Sequence, residues 1–241
     1  AKDGSPMLQP DDERHIFAES YRNLRSSILF KQWGKEPPKL ILVTSAIPSE
    51  GKTTTASKLA ITMATAGAKT LLFDCDLRRG TLQKNFEIKD GPGVGEILTG
   101  EVHWSDTVVE TKTPNLYFIG RGEPLSQTSE FLLSSMTPEF LKEIRDSYDY
   151  VIIDSAPIMA ADDTTSLAPF VDTVIFVVKL SSTSARLVGQ SLDQLYDRQV
   201  NIGGVVLNQT NAHMRDYNYY NYYSYYSTHG YLDYYTSKPR G

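Results

Sequence analysis

Cysteine is almost absent from this 241-residue sequence: Cys75 stands alone, so no disulfide closes within the chain and a reducing compartment is the default expectation. Histidine is scarce too. His15, His103, His213 and His229 show no metal-ligand spacing, which argues against a histidine- or cysteine-based metal centre. Long hydrophobic runs are missing; stretches such as residues 174–178, Val-Ile-Phe-Val-Val, fall far short of the ~20 residues that a membrane helix needs. Positive charge is not in excess either. With 24 Lys and Arg against 29 Asp and Glu the net charge is −5, so no nucleic-acid partner is expected. An initiator Met and a signal peptide are also lacking, and residues 1–15 are expected to be a linker from a longer parent protein or a cloning remnant.

What is present is an ordinary globular composition, 40% hydrophobic and 22% charged. The length is about one and a half times the ~150 residues of a typical domain, which favours one large domain over two. Short apolar runs at 40–43, 70–73, 116–119, 150–153, 173–178 and 204–207 are nearly continuous rather than alternating, as in strands buried on both faces of a parallel sheet. Helical patterns at 52–66, 138–148 and 184–198 lie between them. Alternating β and α elements predict an α/β fold with a doubly wound, mostly parallel sheet flanked by helices. Ahead of the first strand, Phe17, Tyr21, Leu24 and Ile28 recur at helical spacing, predicting a helix whose apolar stripe packs on the sheet or on a neighbour.

Residues 46–53, Ala-Ile-Pro-Ser-Glu-Gly-Lys-Thr, follow a predicted strand and open a predicted helix, the setting in which a Walker A phosphate loop is credible. Gly51 lets backbone approach a phosphate, and the positive end of the helix attracts the anion. Lys52 can reach the β- and γ-phosphates, and the Thr53 hydroxyl can ligate Mg²⁺. Three carboxylates follow. Asp74 and Asp76 end the second strand and, two apart on an extended chain, face the same way; Asp154 ends another buried strand as a Walker B aspartate would. Cys75, between the first two, reads as a packed strand residue rather than a reactive thiol.

Composition changes abruptly after Leu207. Ten of the fifteen tyrosines (Tyr217, Tyr219, Tyr220, Tyr222, Tyr223, Tyr225, Tyr226, Tyr231, Tyr234 and Tyr235) crowd a low-complexity segment with no aliphatic periodicity. The expected organisation is therefore a linker at 1–15, a P-loop domain at 16–212 and a flexible tyrosine-rich tail at 213–241.

The Pro-Ser-Glu-Gly-Lys-Thr loop, the Asp74-x-Asp76-x-Arg78 motif (a Walker A′), the Asp154-Ser-Ala-Pro157 segment and the terminal tyrosines together resemble the bacterial tyrosine autokinases that control capsule and exopolysaccharide export. Glu19-x-x-Arg22-x-x-Arg25 is similar to that family's oligomerisation motif. The resemblance implies an ATP- and Mg²⁺-dependent protein-tyrosine kinase that phosphorylates the tail tyrosines in trans between subunits. It implies that the backbone from Pro48 through Ser49, Glu50, Gly51, Lys52 and Thr53 to Thr54 holds the phosphates. Thr53 would ligate Mg²⁺ directly, with Asp76 and Asp154 positioning it through water. Asp74 would accept the tyrosine proton, and Asn208 would meet the adenine. A homo-oligomeric ring, a transmembrane chain-length regulator fused or separate, a tyrosine phosphatase and a place at the cytoplasmic face of the bacterial inner membrane are implied as well. The alternative is a positioning ATPase like ParA and MinD; those proteins usually carry a signature lysine where Ile47 stands here.

Overall fold

The structure is a computed structural model that describes residues 13–209 apart from 32, 34, 35, 126 and 181, with side chains from Phe17 onward. Seven strands, β1 (Leu40–Ser45), β2 (Thr70–Cys75), β3 (Val109–Glu110), β4 (Leu116–Ile119), β5 (Tyr150–Ser155), β6 (Thr173–Lys179) and β7 (Ile202–Asn208), form one sheet in the order β3-β4-β2-β5-β1-β6-β7. Every pairing is parallel except the short β3–β4 edge. The doubly wound, mostly parallel α/β architecture expected from the apolar runs is the one observed. Around the sheet run α1 (Glu13–Phe30), α2 (Lys52–Thr65), α3 (Leu82–Asn85), α4 (Val94–Thr99), α5 (Thr128–Leu132), α6 (Met136–Ser147), α7 (Asp163–Leu167) and α8 (Ala185–Asp197).

The interior strands are apolar at nearly every position because both faces are covered. Side-chain alternation divides the core accordingly. Leu42, Phe73, Ile153 and Phe176 project to the side of α4 to α8, whereas Ile41, Val43, Leu72, Ile152 and Val177 project to the side of α1 and α2. Each such side chain, fully withdrawn from water, contributes about 1.5–3 kcal/mol before entropy is counted. β7 is the sheet's other edge, and there Val205 and Leu207 stay exposed.

On α2 the residues Ala56, Leu59, Ala60 and Met63 form the buried stripe, and the helix stops where Gly67 adopts a left-handed φ of 98°. The stripe on α1 is real but graded. Ile28 is buried, Tyr21 and Leu24 are half-buried, and Phe17 is exposed, edge-on to Tyr21 at 5.1 Å between ring centroids. Sequence periodicity placed α2, α6 and α8 to within two residues; α8 begins after Ser184, whose hydroxyl accepts from Leu187 N at 3.3 Å. The strand β3 and the helices α3, α4, α5 and α7 were not predicted, since elements of two to six residues carry too few turns for a period to register. No helix among the described residues is long and apolar enough to cross a membrane.

The sheet order places the site. β1 lies between β5 and β6, and the chain winds from β1 toward β2 on one side and later reaches β6 on the other. A crevice therefore opens at the carboxyl end of β1, where ligands settle in open α/β sheets.

Candidate active site

The loop after β1 turns through two left-handed residues, Ser49 at φ 68° and Gly51 at φ 95°, so that α2 starts at Lys52. Only glycine fits at 51. A Cβ there would stand 2.0 Å from Asn208 Nδ2, an amide that donates to the Glu50 carbonyl oxygen at 2.8 Å and so braces the loop from the end of β7. The Glu50 side chain is buried and turned inward. Its carboxylate accepts from Ile47 N at 2.8 Å, Lys179 N at 3.2 Å and the Thr183 hydroxyl, fastening the loop to the segment after β6.

Behind this loop the strand register does the assembling. Asp74 on β2 pairs directly with Asp154 on β5, which sets the two carboxylates side by side. Lys52 reaches across: its Nζ donates to Asp76 Oδ2 at 2.8 Å and lies 3.6 Å from Asp154 Oδ1, an ion-pair distance too long for a hydrogen bond. Asp76 Oδ1 meanwhile accepts from Arg79 N at 3.0 Å, and Asp74 Oδ1 accepts from Asp76 N at 3.1 Å. One further ion pair closes the wall. Arg78 forks onto the buried Asp163, Nε to Oδ2 at 2.8 Å and Nη2 to Oδ1 at 3.2 Å.

Electrostatics follow from that crowding. Burial, reinforced by the charge of Asp154, lifts the Asp74 carboxyl to about 7. Burial also lifts Asp154 to about 6 against the pull of Lys52. Burial alone would lower the Lys52 ammonium, but Asp154 and Asp76 outweigh it and the net shift is upward. Cys75 is buried and its thiol is pushed well up, in line with a packed, unreactive side chain.

The resulting cavity measures about 770 Å³. Pro48, Ser49, Gly51, Lys52, Thr53, Thr54 and Asp76 line it, as expected, together with Arg78, Arg79 and Gln209. Glu50, Asp74, Asp154 and Asn208 stand behind that lining. Asp74 is wholly buried beneath Gly80, where a Cβ would come within 2.6 Å of Asp74 Oδ2. Glu19, Arg22 and Arg25 are elsewhere, on α1: Arg22 pairs with Glu19 at 2.8 Å on the surface, and Arg25 leaves the strip to donate to the Thr62 carbonyl oxygen on α2 at 3.2 Å. The ten tail tyrosines and the predicted boundary at 212 lie outside the described residues. Sequence reasoning missed Asp163, Thr183 and the cover that Gly80 forms, which have no local signature; the Asp-x-Asp-x-Arg spacing did single out Arg78.

The AAA domain profile matches residues 39–202, from the start of β1 to the start of β7. The chain belongs to the AAA domain family. Within it, this AAA domain falls among the bacterial tyrosine-kinase domains. It is 32% identical to the kinase domain of VpsO, with a TM-score of 0.75 over 82% of this chain and 97% of that one. It is 31% identical to the tyrosine-protein kinase etk of Escherichia coli strain K12 over 84% of this chain and 28% of etk. CapB of Staphylococcus aureus is 28% identical over 85% of this chain and 90% of CapB. The chain thus spans about 30% of the length of several curated relatives and nearly all of CapB. A plasmid partition protein from Borrelia burgdorferi, 20% identical at a TM-score of 0.59 over 74% of this chain and 85% of that one, shares the fold alone. The phosphate loop and the family together make this a nucleotide-binding domain.

The donor set suits a cation held jointly with a nucleotide. Asp74 Oδ2 and both Asp154 oxygens are buried without a hydrogen-bond partner among the described residues, and Lys52 Nζ at 3.6 Å from Asp154 Oδ1 is the cation beside them. Among the described residues no three carboxylate, imidazole or thiol groups stand close enough to enclose a metal by themselves.

Proposed function

We propose that this domain is an ATP-dependent protein-tyrosine kinase whose acceptors are the tyrosines at 217–235 of a neighbouring subunit. The observation that carries the proposal is the buried Asp74 carboxyl, poised at about 7 beside Lys52 and the phosphate loop. A general base works best with a pKa near the operating pH, and a tyrosine hydroxyl near 10 needs one. The names of the relatives support the same reading.

In this mechanism Lys52 and the loop backbone from Ser49 to Thr54 hold the ATP phosphates, and Asn208 lies on the adenine side. Bound Mg²⁺ supplies charge neutralisation at the phosphates, with Thr53 as its direct protein ligand and Asp76 and Asp154 acting through water. Lys52 is already drawn toward Asp76 and Asp154, so a nucleotide entering the cavity competes with two carboxylates for the ammonium. Asp74 takes the phenolic proton at Oδ2, the oxygen that has no hydrogen-bond partner among the described residues. Glu19 and Arg22 contribute to a ring that holds each tail at the adjacent site, raising its effective concentration. By resemblance, the setting is the cytoplasmic face of the bacterial inner membrane, beside a transmembrane chain-length regulator and a tyrosine phosphatase that resets the cycle. The ParA- or MinD-type reading has less support, because Ile47 occupies the place of the signature lysine.

The test mixes Lys52→Met protein bearing an intact tail with active protein truncated after Asp216. Phosphotyrosine on the inactive partner's tail is the expected result. An unmodified tail in oligomers that demonstrably contain both chains would refute transfer between subunits.

A further inference from the structure

Three cations line the nucleotide cavity among the described residues, and two of them are already committed. Lys52 is paired with Asp76 and Asp154, and Arg78 is forked onto Asp163. The third, Arg79, has an exposed side chain with no hydrogen-bond or ion-pair partner among the described residues. Its backbone, by contrast, is held firmly. Arg79 N donates to Asp76 Oδ1 at 3.0 Å, while the other oxygen of the same carboxylate receives Lys52 Nζ at 2.8 Å. Gly80 N adds a bond to the Asp76 carbonyl oxygen at 2.7 Å. Asp76 therefore ties the base of Arg79 one carboxylate away from the lysine of the phosphate loop.

Charge counting shows what this arrangement lacks. Even with a Mg²⁺ ion counted, the aspartates at 74, 76 and 154 and the ATP phosphates bring more negative charge into a confined space than one lysine offsets. Phosphoryl transfer spreads that charge over the three equatorial oxygens of the moving group, and its rate depends on how well they are neutralised. A guanidinium, planar and permanently charged, offers several donors for such oxygens.

Resting on the kinase reading, we infer that Arg79 is a further catalytic residue, an arginine supplied from within the same chain that donates to the γ-phosphoryl oxygens as transfer proceeds. The bond between the γ-phosphorus and the ADP oxygen breaks, the bond to the tyrosine oxygen forms, and the phenolic proton passes to Asp74. Arg79 makes and breaks no covalent bond. Its hydrogen bonds strengthen as charge moves outward, so its contribution falls on turnover rather than on the initial binding of ATP.

The experiment measures ATP affinity, single-turnover ATP hydrolysis and tail phosphorylation for wild type, Arg79→Ala and Arg79→Lys. Arg79→Ala is expected to bind ATP within about tenfold of wild type and to lose on the order of 10³-fold in both hydrolysis and transfer at saturating ATP. Arg79→Lys should recover part of the loss, and added guanidinium or methylguanidinium should partly rescue Arg79→Ala but not Lys52→Met. Unchanged turnover in Arg79→Ala would overturn the inference, and so would a loss confined to ATP affinity. Wild-type protein that hydrolyses ATP yet leaves its tyrosines unmodified would end the kinase reading instead, while its hydrolysis rates still decide the role of Arg79.

Discussion

In the proposed mechanism, the proton-acceptor role of Asp74 works against stability at a single residue. Its carboxyl sits at about 7 and that of Asp154 at about 6, both above the ordinary carboxylate value near 3.8 that the unfolded chain would have. The folded state therefore binds more protons than the unfolded state from about pH 4 up to those values, and stability falls across that window as pH rises, levelling off above about 7. Asp74→Asn removes one of the two buried charges and keeps an acceptor for Asp76 N. It should melt higher than wild type at pH 8, by about 2–4 °C for each kcal/mol relieved, with the gap narrowing below pH 7 and closing toward pH 4. The same variant should retain ATP affinity while losing on the order of 10²- to 10⁴-fold in phosphoryl transfer. A lower melting temperature at pH 8 would place the benefit of the charge elsewhere, and a collapse in ATP binding would remove Asp74 from the proton-acceptor role.

At the scale of elements, α1 performs two tasks with neighbouring residues. Ile28 and Leu24 pack it against α2, and Arg25 pins it to the Thr62 carbonyl oxygen. Glu19 and Arg22 remain as an exposed pair, which by itself is worth only about 0–1 kcal/mol. This division would separate folding from the proposed assembly. Glu19→Ala combined with Arg22→Ala should leave the unfolding free energy within about 1 kcal/mol of wild type. It should nevertheless sediment as a monomer in analytical ultracentrifugation. Arg25→Ala should also destabilise the fold, because a charged donor then leaves a half-buried carbonyl unpaired. An unchanged oligomer in the double variant would return the pair to an ordinary surface contact.

For the whole molecule, charge governs what phosphorylation does. The chain begins at −5, and each phosphotyrosine adds roughly −1.5 to −2, so four would add about −6 to −8 per subunit. On the proposed reading, modified tails would repel one another and leave a site that takes neutral tyrosine. Incubation with ATP and Mg²⁺ should shift wild-type protein toward smaller species, most strongly at low ionic strength, where the screening length exceeds ~10 Å. Phosphatase treatment should reverse the shift. Salt-independent sedimentation after extensive phosphorylation would exclude repulsion as the cause.

The sequence by itself determined the layered fold and most of the chemical inventory. Near-continuous apolar strands at β1, β2, β5 and β6 can only be buried on both faces, and a Gly-Lys-Thr between strand and helix has few other uses. Tertiary structure decided the rest. Asp74 and Asp154, 80 positions apart, meet because β2 and β5 are neighbours in a matched register, a pairing no local period encodes. Asn208 reaches Glu50 across 158 positions, and Arg78 finds Asp163 across 85, for the same reason. The perturbed carboxyls exist only in that assembly, since burial and a neighbouring charge act through space. Residue types fixed which groups were available; the order and register of the strands fixed which of them touch.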